Sequence, residues 1–337
     1  MQTNCLVLFS GGLDSILACK VLEEQGIRPI ALRFITPFFG LNLYDEDKAG
    51  AEAEKAMEKY GIEMQVIDIS LEYLAMVPNP PHGYGRHLNP CIDCKILMVK
   101  KAISMLDHFN ASFVATGEVL GQRPMSQRRD TLRIIERDSS AHGLLLRPLS
   151  ARFLPETIPE RQGIINRELL PSISGRSRKA QIALAKQYKI KDYPAPAGGC
   201  VLADKIIANR FRKIFTQWPD FTAEDCILAQ VGRHFLLQDM SWLTVGRNQD
   251  ENARLQHITL DSDIQIRLVD NPGPYSVIRY LKTRDALEQA VQLIARYCRH
   301  GRGQAMKFLA TCSETGLKTS ISTEHPLTDW QIDAMRF

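Results

Sequence analysis

Hydrophobic and polar positions along this chain keep two different periods. Leu6-Val7-Leu8-Phe9 is an unbroken apolar run of strand length, and Ile16–Glu24 behind it carries apolar residues at helical spacing. A second strand is expected at about Pro29–Ile35, a helix at about Tyr44–Tyr60 with small or apolar Ala49, Ala53, Ala56 and Met57, and a third strand at Met64–Ile69. Strand, helix, strand, helix, strand predicts a parallel sheet with helices on its faces. Residues 112–118 and Leu144–Leu149 read as further strands, and an apolar-periodic helix follows Cys94 to Leu106. The stretches 36–43 and 77–90, rich in Pro and Gly, read as loops.

A break is expected near 203–220, and from Cys226 the pattern changes. Short strands are expected at Val231–Leu237, Trp242–Val245, Ile264–Val269 and Tyr275–Leu281, with helices at Gln249–His257 and Thr283–His300. The tail after Gly301 reads as poorly periodic. The fold class is therefore α/β: a parallel-sheet domain at 1–205, followed by a smaller α+β domain at 222–337.

With 337 residues, 45% apolar and 24% charged, the composition is that of a globular protein of two or three domains. No run is long enough to span a membrane, and the N-terminus enters a strand without a signal-peptide pattern, so a cytoplasmic setting is expected. In that setting clustered cysteines read as metal or redox sites rather than disulfides. A net charge of +4 says little about partners, but residues 121–180 hold twelve Lys/Arg against six Asp/Glu. Such a stretch is either a solvated loop surface or a track for a phosphate backbone.

The chemistry begins at Ser10-Gly11-Gly12-Leu13-Asp14-Ser15. A strand that turns through glycines into a helix aims free N–H groups and the positive end of the helix dipole at one spot, which suits an anion. Ser10 and Ser15 add hydroxyl donors, and Asp14 beside a phosphate implies a bridging metal ion. The Gly-Lys-Ser/Thr ending of a Walker A loop is absent. Nucleotides bind parallel sheets at the carboxyl ends of the strands, so Thr116-Gly117-Glu118 should lie beside the same ligand.

Cys91 and Cys94, three apart at a helix start, and Cys200 after Ala195-Pro196-Ala197-Gly198-Gly199 would together make a three-thiolate site with one open position. Cys5, Cys19, Cys226, Cys298 and Cys312 sit in apolar or helical contexts and read as core. In the loop at 77–90, His82, Tyr84, Arg86 and His87 are candidates for substrate contact or for packing the loop itself. Arg128 and Arg129, and the basic helix start at Arg176, Arg178 and Lys179, are candidates for phosphate contact on ATP or RNA.

The motif SGGxDS at Ser10–Ser15 resembles the PP-loop of the ATP pyrophosphatase superfamily. The resemblance implies that Ser10, Gly11, Gly12, Asp14 and Ser15 grip ATP with Mg²⁺ near Asp14, that Gly117 contacts the nucleotide, and that AMP is transferred to a substrate oxygen. Together with Asn89-Pro90-Cys91…Cys94-Lys95 and Gly198-Gly199-Cys200, the motif resembles the tRNA-thiolating branch, the 2-thiouridylases and 4-thiouridine synthetases. In the 2-thiouridylases two cysteines act, and Cys94 and Cys200 match them. A related group of tRNA thiolases holds a 4Fe-4S cluster on a C-x-x-C and a distant third cysteine. Cys91, Cys94 and Cys200 match that pattern better, with a persulfide pair and zinc as the other readings.

Gly121-Gln122 followed by Ser126-Gln127 resembles the 4-thiouridine synthetases, although these carry an RNA-binding region ahead of the loop. The implied activity is ATP-dependent thiolation of a tRNA uridine, with tRNA and a sulfur donor, sulfide or a persulfide carrier, as partners. The alternatives are a PP-loop enzyme acting on a small molecule and a non-catalytic RNA- or ribosome-binding factor. Gly232-Arg233, Gly246-Arg247-Asn248 and Pro272-Gly273-Pro274 resemble the small NFACT-R-like RNA-associated domain.

Overall fold

The structure, a computed structural model, describes residues 2–43, 45–195, 200–298 and 305–337. The chain divides into two compact units, Met1–Lys205 and Ile206–Phe337.

In the first unit β1 (Asn4–Leu8), β2 (Arg28–Ile35), β3 (Glu63–Asp68), β4 (Ala111–Thr116) and β5 (Leu145–Leu146) form a parallel sheet in the order β3-β2-β1-β4-β5. Leu6 of β1 pairs with Ile30 on one side and Val114 on the other. β1 is thus an interior strand with both faces covered, which is why its apolar run is continuous rather than alternating. The helices are α1 (Leu13–Glu23), α2 (Glu46–Tyr60), α3 (Ser70–Met76), α4 (Cys91–Ser104), α5 (Arg129–Asp138), α6 (Ile158–Arg161) and α7 (Lys179–Gln187). The chain steps outward from β1 to β3 and then crosses back to β4, so strand order reverses between β1 and β4. Ligands of such sheets bind at the carboxyl ends of the strands at that reversal.

The expected elements differ from this fold in a few places. The helix read from Tyr44 starts at Glu46, where the Asp45 side chain accepts from the Asp47 and Lys48 N–H groups, and Tyr44 lies outside the described residues. The strand read over Leu144–Leu149 keeps only Leu145 and Leu146; Arg147 turns inward to Glu118, and Pro148 has no N–H for a ladder. α3 and α5 fall on stretches the periodicity left unassigned.

The second unit opens with α8 (Lys205–Gln217) and α9 (Ala223–Leu228). The break expected near 203–220 is therefore largely helix: Ala208, Phe211 and Ile214 are buried at a spacing of three, behind a basic outer face. Then come β6 (Arg233–Leu236), β7 (Trp242–Val245), α10 (Gln249–Ile258), β8 (Ile264–Leu268), β9 (Ser276–Arg279), α11 (Arg284–Ala295), β10 (Met306–Thr311), β11 (Lys318–Thr323) and α12 (Asp329–Met335). The sheet is antiparallel, in the order β11-β10-β8-β9-β7-β6. The tail is not irregular: Met306, Phe308 and Ala310 alternate inward from β10, while β11 is a Ser/Thr-rich outer strand. The last residues expected in the helix at Thr283–His300 lie outside the described residues.

Buried charge ties α9 to this sheet. Arg279 donates to Asp225 and Asp263, each at 2.8 Å, and the Tyr280 hydroxyl donates to Asp225 at 2.6 Å. Trp218, just after α8, stacks on Trp242 and Tyr280 with ring centroids 5.3 and 5.6 Å away.

Candidate active site at the carboxyl edge of the parallel sheet

The glycine loop leaves β1 and starts α1. Gly11 has φ +73°, a left-handed conformation that glycine adopts freely, and Gly12 caps the helix. The Gly12 N–H donates to Ser10 Oγ at 3.3 Å, Ser15 Oγ donates to the Gly12 carbonyl at 2.8 Å, and the two hydroxyl oxygens lie 3.3 Å apart. The loop is thus braced by its own serines, with the first-turn N–H groups of α1 facing the sheet edge.

Asp14 is held from one side. Its Oδ2 accepts from Gln122 Nε2 at 2.9 Å, while Oδ1 is buried and has no hydrogen-bond partner among the described residues. A buried carboxylate oxygen without a donor is costly, and it suits a cation. Gly117, at the end of β4, packs directly on the backbone of Asp14 and Ser15. Its neighbours turn inward instead: Thr116 Oγ1 donates to Glu118 at 3.2 Å, and Glu118 pairs with buried Arg147 at 3.2 Å.

The cysteines converge. α4 runs back to β4, so its N-terminus, with Cys91 and Cys94, lies at the same sheet edge as the glycine loop. Burial pushes the Cys94 thiol up to about 12, against the pull of Lys95, and Cys200 and Cys91 raise it further. Burial and Cys91 also push the Cys200 thiol up. Cys94 thus lies within electrostatic reach of both Cys91 and Cys200, and Cys200 within reach of Cys91. Tyr73 of α3, 1% exposed, hydrogen-bonds the Cys94 sulfur and packs on Phe38 and Phe39. Asn89 donates to Cys91 Sγ at 3.3 Å, and the Leu88 N–H donates to the Leu202 carbonyl at 3.1 Å, which fastens the loop at 77–90 to the segment after Cys200. Residues 196–199 of the turn read as presenting Cys200 lie outside the described residues. Among the described residues, no three His, Cys, Asp or Glu side chains close on one point as a shell for a single metal ion.

Other expected contacts have internal partners. His82 bridges Asp93 Oδ1 at 2.8 Å and Asp138 Oδ2 at 3.0 Å, clamping the start of α4 to the end of α5. The Tyr84 hydroxyl lies 2.8 and 2.7 Å from the Val77 and Pro78 carbonyls. Arg128 pairs with Asp130 at 2.7 Å, and Arg129 donates to the Phe153 carbonyl at 2.7 Å. Arg176 and Lys179 are exposed at the start of α7, where Arg178 Nε is buried without a partner among the described residues.

Two residues went unnoticed in the sequence. Arg33 of β2 brings Nη1 to 3.7 Å from where a Cβ on Gly11 would stand, and burial pulls its guanidinium down against the raising charge of Glu52. Its signal was available: it is the one charged residue in the apolar run Pro29–Ile35. Tyr73 carried no signal, because its α3 fell on an unassigned stretch.

Residues 1–152 match the family model of the thiamine biosynthesis protein (ThiI), and residues 232–335 match that of the NFACT protein RNA binding domain. The chain is 29% identical over 146 residues to the tRNA-specific 2-thiouridylase MnmA 3 of Phocaeicola vulgatus, covering 40% of this chain and 37% of that protein. It is 27% identical over 221 residues to the tRNA sulfurtransferase of Marinobacter nauticus, covering 64% of this chain and 44% of that protein. The match thus spans less than half the length of either relative. A solved 4-thiouridine synthetase–RNA complex with bound ATP overlaps at 20% identity over 55% of this chain and 50% of its own, with a TM-score of 0.34. By these matches, residues 1–152 are similar to the ThiI family model and residues 232–335 to that of the NFACT RNA-binding domain, each over less than half of the chain.

Proposed function

We propose that the chain is an ATP-dependent tRNA uridine thiolase, with 4-thiouridine as its product. One loop carries the reading. Gln122 touches Asp14, and three residues on Met125 lies 3.9 Å from Asn89 Nδ2, the group that donates to Cys91. The loop after β4 therefore stands between the glycine loop and the cysteines, the two sites that adenylation and sulfur transfer need side by side.

Carbonyl oxygen is a poor leaving group, and adenylation cures this. The uridine carbonyl oxygen attacks the α-phosphorus of ATP, a P–O bond forms, and the bond to pyrophosphate breaks. The α1 N–H groups with Ser10 and Ser15 hold the phosphates, and Asp14 Oδ1 would hold a Mg²⁺ that neutralises charge on the departing pyrophosphate. Sulfide then attacks the activated carbon, the C–S bond forms and the C–O bond breaks, with the oxygen leaving on AMP. If a cysteine persulfide delivers the sulfur, its S–S bond breaks by attack of the second cysteine thiolate, and the Cys94–Cys200 disulfide left behind is reduced by an external thiol. A C-x-x-C at Cys91 and Cys94 with a distant Cys200 matches the pattern of the cluster-bearing thiolases, which favours a 4Fe-4S cluster over one zinc ion. Cys91, Cys94 and Cys200 would hold such a cluster, and with three protein ligands it would leave one iron open to a sulfur donor. Arg128, Arg129, Arg176, Arg178 and Lys179, with the second unit, are the proposed RNA contacts, and the target uridine must leave its stack to reach the sheet edge.

The test is incubation with ATP, Mg²⁺, sulfide and a tRNA transcript, followed by nucleoside mass spectrometry. A uridine that gains sulfur for oxygen together with AMP release, both lost in Asp14→Ala, is expected. AMP release with the tRNA unchanged would move the activity to a small-molecule substrate.

A further inference from the structure

A file of three polar side chains crosses the first unit behind the glycine loop. Asp14 in the first turn of α1 accepts from Gln122 in the loop after β4 at 2.9 Å, and Gln122 Oε1 accepts in turn from Gln181 Nε2 at 3.2 Å. Gln181 is the third residue of α7 and 0% exposed. Its Oε1 is buried with no partner among the described residues. An apolar residue would fill that place on α7 at least as well, so burial alone does not call for an amide.

The direction of the file is forced from one end. An ionised carboxylate only accepts, so Gln122 must turn its NH₂ toward Asp14. Its Oε1 then points away and needs a donor, which Gln181 Nε2 supplies. Without that donor Gln122 Oε1 loses its partner, the amide is free to swing out of the file toward another donor, and Asp14 Oδ2 is released. With it, Oδ2 is engaged and Oδ1 alone stays free.

We infer that Gln181 is a positioning residue: through Gln122 it fixes which carboxylate oxygen of Asp14 is left for a divalent cation on the bound nucleotide. The inference rests on the nucleotide reading of the glycine loop, but on neither tRNA nor the cysteines.

The test is Mn²⁺ binding to the full chain with ATP, read by electron paramagnetic resonance, which needs no turnover. Outer partners of metal-holding side chains typically change metal affinity by about 10- to 100-fold when removed. Gln181→Leu is expected to weaken Mn²⁺ binding by at least about tenfold, and Gln122→Leu likewise. Because both act through one path, the double variant should bind no more weakly than Gln122→Leu alone. Should Gln181→Leu fail to fold, Gln181→Met, close to glutamine in shape but without its donor, carries the same expectation. Variants that fold and bind Mn²⁺ as the wild type does overturn the relay and leave the nucleotide reading standing, and so does a double variant whose losses simply add. A wild type that binds ATP with no Mn²⁺ overturns the relay, and one that binds no ATP overturns the reading of the loop as well.

Discussion

Gly117 lies so close to Asp14 that a Cβ built on it would stand 2.5 Å from the Asp14 carbonyl carbon and oxygen, and 2.6 Å from the Ser15 nitrogen. All three are backbone atoms of the glycine loop and its helix, so no flexible side chain can yield. Gly117→Ala must push β4 and the loop apart. It is expected to lower ATP affinity at least about tenfold, measured by calorimetric titration, because a shift of the order of 1 Å is enough to spoil a positioned site. Gly50→Ala is the control. Gly50 lies in α2 with nothing within 4 Å of its added Cβ, and the change should leave ATP binding alone while slightly stabilising the helix.

Arg33 stands beside Gly11 with its guanidinium half-buried and with Glu52 as its raising charge. A cation there is placed for the anion that the loop is proposed to hold. Arg33→Met, which keeps the packing length, is expected to weaken ATP and pyrophosphate binding about tenfold or more and AMP binding much less, charge-assisted hydrogen bonds being the stronger kind. Equal losses for ATP and AMP would place Arg33 away from the outer phosphates.

Removal of one thiol separates the readings of the cysteine site. Protein purified without oxygen is expected to carry about four iron and four labile sulfide per chain, with broad visible absorbance. Cys91→Ala should lose most of both. If the Cys91→Ala protein stays active and the wild type carries no iron, Cys94 and Cys200 would act as a persulfide pair instead.

His234 sets a pH dependence on the second unit. Trp242 Nε1 donates to its Nδ1 at 2.9 Å, so the folded imidazole is neutral, and burial, with Arg210 and Arg247 adding, holds its pKa well below the ordinary value. The unfolded chain takes up a proton below about pH 6.5 where the folded one does not. Stability contributed by this group is therefore full above about pH 6.5 and falls by about 1.4 kcal/mol per pH unit below it. All three tryptophans, Trp218, Trp242 and Trp330, lie in this unit, so fluorescence-detected urea unfolding between pH 7.5 and 5 reads it directly. His234→Gln should flatten that slope; an unchanged slope would assign it to other groups.

Much of the first unit was open to reading because its interior strands are covered on both faces and its helices on one. The continuous apolar run of β1 and the apolar run of β2, broken only at Arg33, follow from that burial alone, while α1, unlike the outer helices, buries eight of its eleven residues. The second unit was harder. α8 hid its inward residues at a spacing of three among basic ones, and the alternation of Met306, Phe308 and Ala310 is too short to stand out beside the polar β11. Leu144–Leu149 misled in the other direction: its apolar run is real, but Arg147 is spent on Glu118 rather than on a longer strand.

The sequence by itself determined the chemistry on offer: the glycine loop suited to an anion, the acid that invites a cation, the three cysteines in polar turns, and the parallel sheet that carries them. These depend on residue types at short spacing, which local geometry fixes. Which groups meet was decided only by the tertiary structure. Gln181 reaches Asp14 through Gln122, Arg33 reaches Gly11 from the next strand, and Tyr73 reaches Cys94 from a helix of seven residues. Each of these joins residues far apart in the chain, and it is strand order, register and helix packing, properties of the whole sheet, that set the distance between them.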